Sequence, residues 1–104
     1  MDIEPFFCNL NAMDAEQRQR YQMITARLGA AVQQIQELPD GYALLLPSGA
    51  ETLLLAAEFV TLESLCCPFL QFNLEVAPHR GPVWLRLTGS EGVKPFLQAE
   101  MGLE

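Results

Sequence analysis

Between Leu70 and Val76 the chain alternates without a break. Leu70, Phe72, Leu74 and Val76 are apolar, and Gln71, Asn73 and Glu75 between them are polar. A strand turns successive side chains to opposite faces, so a period of two predicts one buried and one wet face. The strand is expected over Phe69 to Val76. Turn residues follow in Pro78-His79-Arg80-Gly81-Pro82, and Val83-Trp84-Leu85-Arg86-Leu87-Thr88 returns as the second strand of a hairpin. Phe72 and Trp84 are expected to pack together across it. A sheet with one apolar face needs a cover, and that requirement governs how the remaining segments are read.

A second hairpin is predicted upstream, where Pro39-Asp40-Gly41 separates Val32–Leu38 from Tyr42–Pro47. Proline presets its φ, and Asp and Gly tolerate tight geometry. Helices account for the rest. Asp14 is placed as an N-cap with Gln17 at the capping-box position, and Tyr21, Ile24, Leu28 and Ala31 recur at helical spacing. This predicts a helix over about 15–31. Ala50 to Cys67 is rich in Leu, Ala and Glu and is stopped by Pro68. Gly89-Ser90 leads into a last helix over about 93–101, with Pro95 tolerated in its first turn. The expected fold is α+β: two consecutive α-β-β units and a C-terminal helix, forming a four-stranded, mainly antiparallel sheet with helices packed on one face. Residues 1–104 read as a single domain, with 1–12 as an N-terminal arm or strand. Leu103-Glu104 has the look of a cloning remnant and is given no functional weight.

Composition narrows the function classes. The 104 residues are half hydrophobic and carry a formal net charge of −7. Nucleic-acid binding needs a Lys/Arg patch to displace counterions, whereas Arg18, Arg20, Arg27, Arg80, Arg86 and Lys94 are scattered. Neither nucleic acid nor an anionic membrane is an expected partner. The acidic start Met1-Asp2-Ile3-Glu4-Pro5 is unlike a signal peptide, and no apolar run approaches a membrane span. A cytoplasmic, reducing compartment is therefore expected, where a structural disulfide is not. Three cysteines are also an odd number, too few for a disulfide framework.

Two of those cysteines, Cys66 and Cys67, close the second predicted helix. Residues three and four apart share a helix face, so Glu63 neighbours both. Two thiols and a carboxylate suit a soft ion such as Zn²⁺, Cu⁺, Hg²⁺ or a trivalent arsenical. Cys8 is the candidate third thiol if the N-terminal arm folds back. A C-C doublet is not the C-x₂-C spacing of structural zinc sites. A helix C-terminus and a neighbouring Glu both raise a thiol pKa, which argues against an activated nucleophile. A disulfide between adjacent residues closes a small strained ring and is not expected. Against any site stands the plain alternative of buried core thiols among Leu62, Leu65, Phe69 and Leu70.

Other candidates carry less. His79 could supply a fourth ligand but reads as a solvated turn residue. Gly89-Ser90-Glu91-Gly92 could bind an anion at a helix N-terminus but reads as capping. Glu58 and Glu63 could act as paired acids, yet solvated or edge positions are the default. One histidine, and no serine in a nucleophile-elbow context, give a Ser-His-Asp triad little support.

The run Glu63-x-x-Cys66-Cys67-Pro68-Phe69-Leu70, the strand Val83–Thr88, and Gly89-Ser90-Glu91-Gly92-Val93-Lys94-x-Phe96-Leu97 resemble a family of small uncharacterised bacterial proteins. The likeness extends back through Leu38–Tyr42 to Cys8. It implies that the cysteine segment is a signature, with an association with heavy-metal resistance, and supplies no mechanism. The function expected from the sequence is binding of a thiophilic metal or metalloid by Cys66, Cys67, Cys8 and Glu63, without catalysis. The alternatives are a structural or interaction domain with inert cysteines, including a homodimer, and, less favoured, a thiol redox protein.

Overall fold

The computed structural model describes residues 9–102. After a 3-10 turn at Leu10–Ala12, the elements are α1 (Ala15–Ala31), β1 (Gln34–Leu38), β2 (Gly41–Leu46), α2 (Ala50–Cys66), β3 (Gln71–Val76), β4 (Val83–Thr88) and α3 (Val93–Met101). The α+β order expected from the sequence is the order observed. Most of the N-terminal arm, Cys8 included, lies outside the described residues.

Local signals explain where the helices begin and end. At α1 the Asp14 carboxylate accepts from Gln17 N–H at 2.8 Å, and the Gln17 side chain accepts from Asp14 N–H at 2.9 Å, a reciprocal capping box. α3 starts differently: Gly92 is left-handed with φ 98° and no side chain caps it, so the anticipated capping is done by backbone geometry alone. α1 lies along α2, burying Ile24 and Leu28. Ion pairs Arg20–Glu58 and Arg27–Glu51 join the two helices in opposite sequence directions, which makes them antiparallel. These pairs are solvent-exposed and set orientation more than stability.

The four strands run in the order β1-β2-β4-β3, every neighbour antiparallel, so the two hairpins meet along β2 and β4. Tyr42, Leu44 and Leu46 stand opposite Leu87, Leu85 and Val83, which in turn oppose Phe72, Leu74 and Val76. On β2 and β4 this face carries the core, which Ile24, Leu28, Ala56, Leu62, Val93 and Leu97 close from the helices; on β3 Phe72 and Leu74 are half-buried against it and Val76 is exposed. α3 packs on β2, where Gln98 Nε2 donates to the Tyr42 hydroxyl at 2.9 Å.

Phe72 and Trp84 do not pack across the hairpin as expected. The register sets Phe72 opposite Leu87 and Trp84 opposite Glu75. Trp84 lies three positions before Leu87 along β4, an odd step, and the pleat therefore sends Trp84 to the other face. The hairpin turn has its own strain: His79 and Arg80 both have positive φ, 59° and 56°. Gly41 also differs from its expected role as a turn residue. It opens β2, and a Cβ there would lie 1.9 Å from the Leu87 carbonyl oxygen, so close approach of β4 requires the glycine. Among the described residues no helix is long and apolar enough to cross a membrane.

Candidate metal centre

The end of α2 is built by its last backbone bonds. Cys67 N–H donates to the Glu63 carbonyl at 2.7 Å, and Cys67 then leaves the helix with φ −129° and ψ 68°. Pro68 has no N–H with which to continue the ladder. Leu70 N–H returns to the Cys67 carbonyl at 3.1 Å and turns the chain into β3. From the other direction, Asn9 N–H donates to the Cys66 carbonyl at 2.9 Å. The main chain directly after Cys8 is thereby held on the cysteine doublet.

The i, i+3 and i, i+4 spacing brings the side chains together as expected. Cys66 Sγ and Cys67 Sγ are 3.7 Å apart, and Cys67 Sγ is 3.4 Å from Glu63 Oε2. One ligand atom from each of Glu63, Cys66 and Cys67 lies within 4.8 Å of the others, so the group could hold a metal ion. Both cysteines are fully buried and Glu63 is 6 % exposed. A separation of 3.7 Å is far beyond an S–S bond of about 2.05 Å, so the doublet is not closed on itself. Cys66 is a free thiol. Cys67 is disulfide-bonded, contrary to the expectation of reduced thiols, and its sulfur is a ligand only once that bond is reduced. Composition speaks to the compartment and not to which sulfurs meet.

Electrostatics at the cluster come from three helices. Tyr21 of α1 hydrogen-bonds the Glu63 carboxyl, and its ring stacks on Phe59 of α2 with centroids 6.5 Å apart and planes 14° from parallel. Burial, the Glu63 bond and nearby acidic groups all push the Tyr21 hydroxyl pKa up. Burial also raises the Glu63 carboxyl above its ordinary value; the Tyr21 bond opposes this, and the charge of Glu100 on α3 adds to it. Burial, then Glu63, pushes the Cys66 thiol up to about 11. The direction agrees with the argument against an activated nucleophile. The largest cause is burial, ahead of the charge of Glu63.

The remaining candidates lie apart from this cluster. His79 is exposed at the β3–β4 turn, with all of β3, about 20 Å of strand, between that turn and the doublet. Glu58 is bound to Arg20, whose guanidinium lowers its carboxyl pKa, so it is not half of an acid pair with Glu63. Cys8 lies outside the described residues. Tyr21 and Glu100 were not singled out from the sequence. Periodicity marks Tyr21 only as an apolar position on α1; the one signal for it is that a half-buried tyrosine hydroxyl usually finds a partner.

No family model, no curated protein and no solved structure matches this chain.

Proposed function

We propose that this protein binds one thiophilic metal or metalloid ion through Cys66 and Cys67, with Glu63 as a further ligand and Cys8 as a third thiol. The observation that carries this reading is the convergence of three ligating atoms within 4.8 Å at the end of one helix. The cluster gathers acidic groups: Cys66 feels the charges of both Glu63 and Glu100. A cation offsets that charge and takes the place of the proton that burial and Glu63 hold on the Cys66 thiol. Binding therefore releases protons and weakens as pH falls.

Native mass spectrometry tests it. Protein reduced with a phosphine and freed of chelator is offered Zn²⁺, Cu⁺ or Hg²⁺ in turn, and one ion per chain is the expected result. Replacing both residues, Cys66→Ser with Cys67→Ser, is expected to abolish that stoichiometry; retention of the ion by the double variant would sink the assignment.

Burial favours a second reading. Both cysteines are wholly inaccessible, as core thiols would be in a structural or interaction domain. Under that reading the reduced wild-type protein takes up no ion, and thiol reagents label both residues only after denaturant is added.

A further inference from the structure

We propose that the cysteine doublet is a redox-controlled site, closed to metal by the disulfide at Cys67 and opened when a dithiol reductant cleaves that bond. This rests on the metal-binding reading above and adds the regulation of that site.

The two neighbouring sulfurs are in different chemical states. Cys66 is a free thiol and Cys67 is disulfide-bonded. The thiolate is the form that ligates a metal, and a disulfide sulfur has no such form. While the bond stands, the cluster offers one thiol and the Glu63 carboxyl. The group of three ligating residues therefore exists only in the reduced protein.

Burial narrows the partner of that bond. Cys67 is wholly inaccessible and belongs to the core, which leaves no room there for a second protein molecule. The chain has three cysteines and Cys66 is free, so Cys8 is the sulfur left to pair with it. Cys8 lies outside the described residues, but the next residue, Asn9, donates its N–H to the Cys66 carbonyl at 2.9 Å. Disulfide and ion then compete for the same two sulfurs. Oxidation takes two of three thiols away from the ion at once.

The frame of the site does not depend on the disulfide. Cys67 N–H donates to the Glu63 carbonyl at 2.7 Å, Leu70 N–H donates to the Cys67 carbonyl at 3.1 Å, and Asn9 holds Cys66. These are main-chain bonds that survive reduction. Tyr21 fixes the Glu63 carboxyl separately.

In the opening step a thiolate of the dithiol attacks the partner sulfur, because Cys67 Sγ is enclosed, and the S–S bond breaks with Cys67 as the leaving group. The second thiol of the reductant then cleaves the mixed disulfide, and the reductant departs as a cyclic disulfide. Two electrons and, in net, two protons pass to Cys67 and Cys8. The ion displaces thiol protons to solvent as it binds.

The experiment uses the full-length protein in two forms. One is oxidised with diamide, which takes two electrons and two protons from a thiol pair, and the other is reduced with a phosphine that is then removed. In denaturant, the oxidised form is expected to label at Cys66 alone and the reduced form at all three cysteines. Peptide mapping without reductant is expected to join Cys8 to Cys67. The reduced form is expected to bind Zn²⁺ roughly tenfold or more tightly than the oxidised one, since losing even an outer-shell partner costs a metal site that much. By linkage, Zn²⁺ shifts the thiol–disulfide equilibrium toward the reduced form by the same factor. Cys8→Ser is expected to take up Zn²⁺ equally after either treatment; if it does not fold, the two wild-type forms decide alone. Three labelled cysteines after diamide, a map without the Cys67 link, or equal Zn²⁺ affinity of the two forms would overturn the redox control and leave metal binding standing. Absence of Zn²⁺ uptake by the reduced wild type removes both.

Discussion

At Cys66 the folded state keeps a proton that the unfolded chain gives up. The thiol rises from its ordinary value of 9.0 to about 11. A group with a raised folded pKa contributes stability that is complete below the unfolded value and is lost as pH rises through the folded one. Each pH unit of separation is worth about 1.4 kcal/mol. Stability is therefore expected to fall between about pH 9 and 11, and the fall should be shallower in Cys66→Ala. Urea midpoints at pH 8 and 11 for both proteins check this; equal losses would show that the thiol is not responsible. Glu63 acts with the same sign at lower pH, because its carboxyl is also raised, so its contribution declines as pH climbs above the ordinary carboxylate range. Local spacing made Glu63 and the doublet legible, since three and four residues along a helix is a neighbour relation. Tyr21 comes from another helix, and no local pattern connects it to Glu63.

Elements with strong punctuation were the easiest to read. α1 runs from Ala15 to Ala31 because Asp14 and Gln17 satisfy its first N–H groups, and β4 spans Val83–Thr88 between turn residues. β1 begins at Gln34, two residues later than its apolar run suggests, and β3 at Gln71, because Leu70 N–H is used in the turn after Cys67. The face of Trp84 was not legible: it depends on counting register through the turn, and turn length is not written in alternation. That turn also makes a prediction. Non-glycine residues in the left-handed region cost roughly 1–2 kcal/mol each, and His79 and Arg80 occupy it consecutively. Arg80→Gly is expected to stabilise the protein by somewhat less, about 0.5–1 kcal/mol, since glycine also loosens the unfolded chain. The readout is the denaturant midpoint at unchanged m value.

Over the whole molecule, the seam between β2 and β4 joins the two α-β-β units into one sheet with one core. The sequence carried the units clearly; strand order was not in it, because pairing β2 with β4 is a long-range choice among apolar strands of similar length. Gly41 stands on that seam, with no room for a Cβ against the Leu87 carbonyl. Gly41→Ala is expected to cost about 1–3 kcal/mol. Thermal melting should remain a single transition at lower temperature, since the seam belongs to both units; a biphasic melt would mean that the hairpins come apart independently.

The bond from Asn9 N–H to the Cys66 carbonyl has a consequence for genetics as well as for structure. It is made by the main chain alone, so every side chain at position 9 except proline preserves it. Other substitutions at position 9 lose only the bond that the Asn9 side chain accepts from Asn11 N–H at 3.1 Å, which caps the 3-10 turn, and leave the main-chain latch on the cysteine doublet in place. Asn9→Pro is the one allele that would reveal the latch.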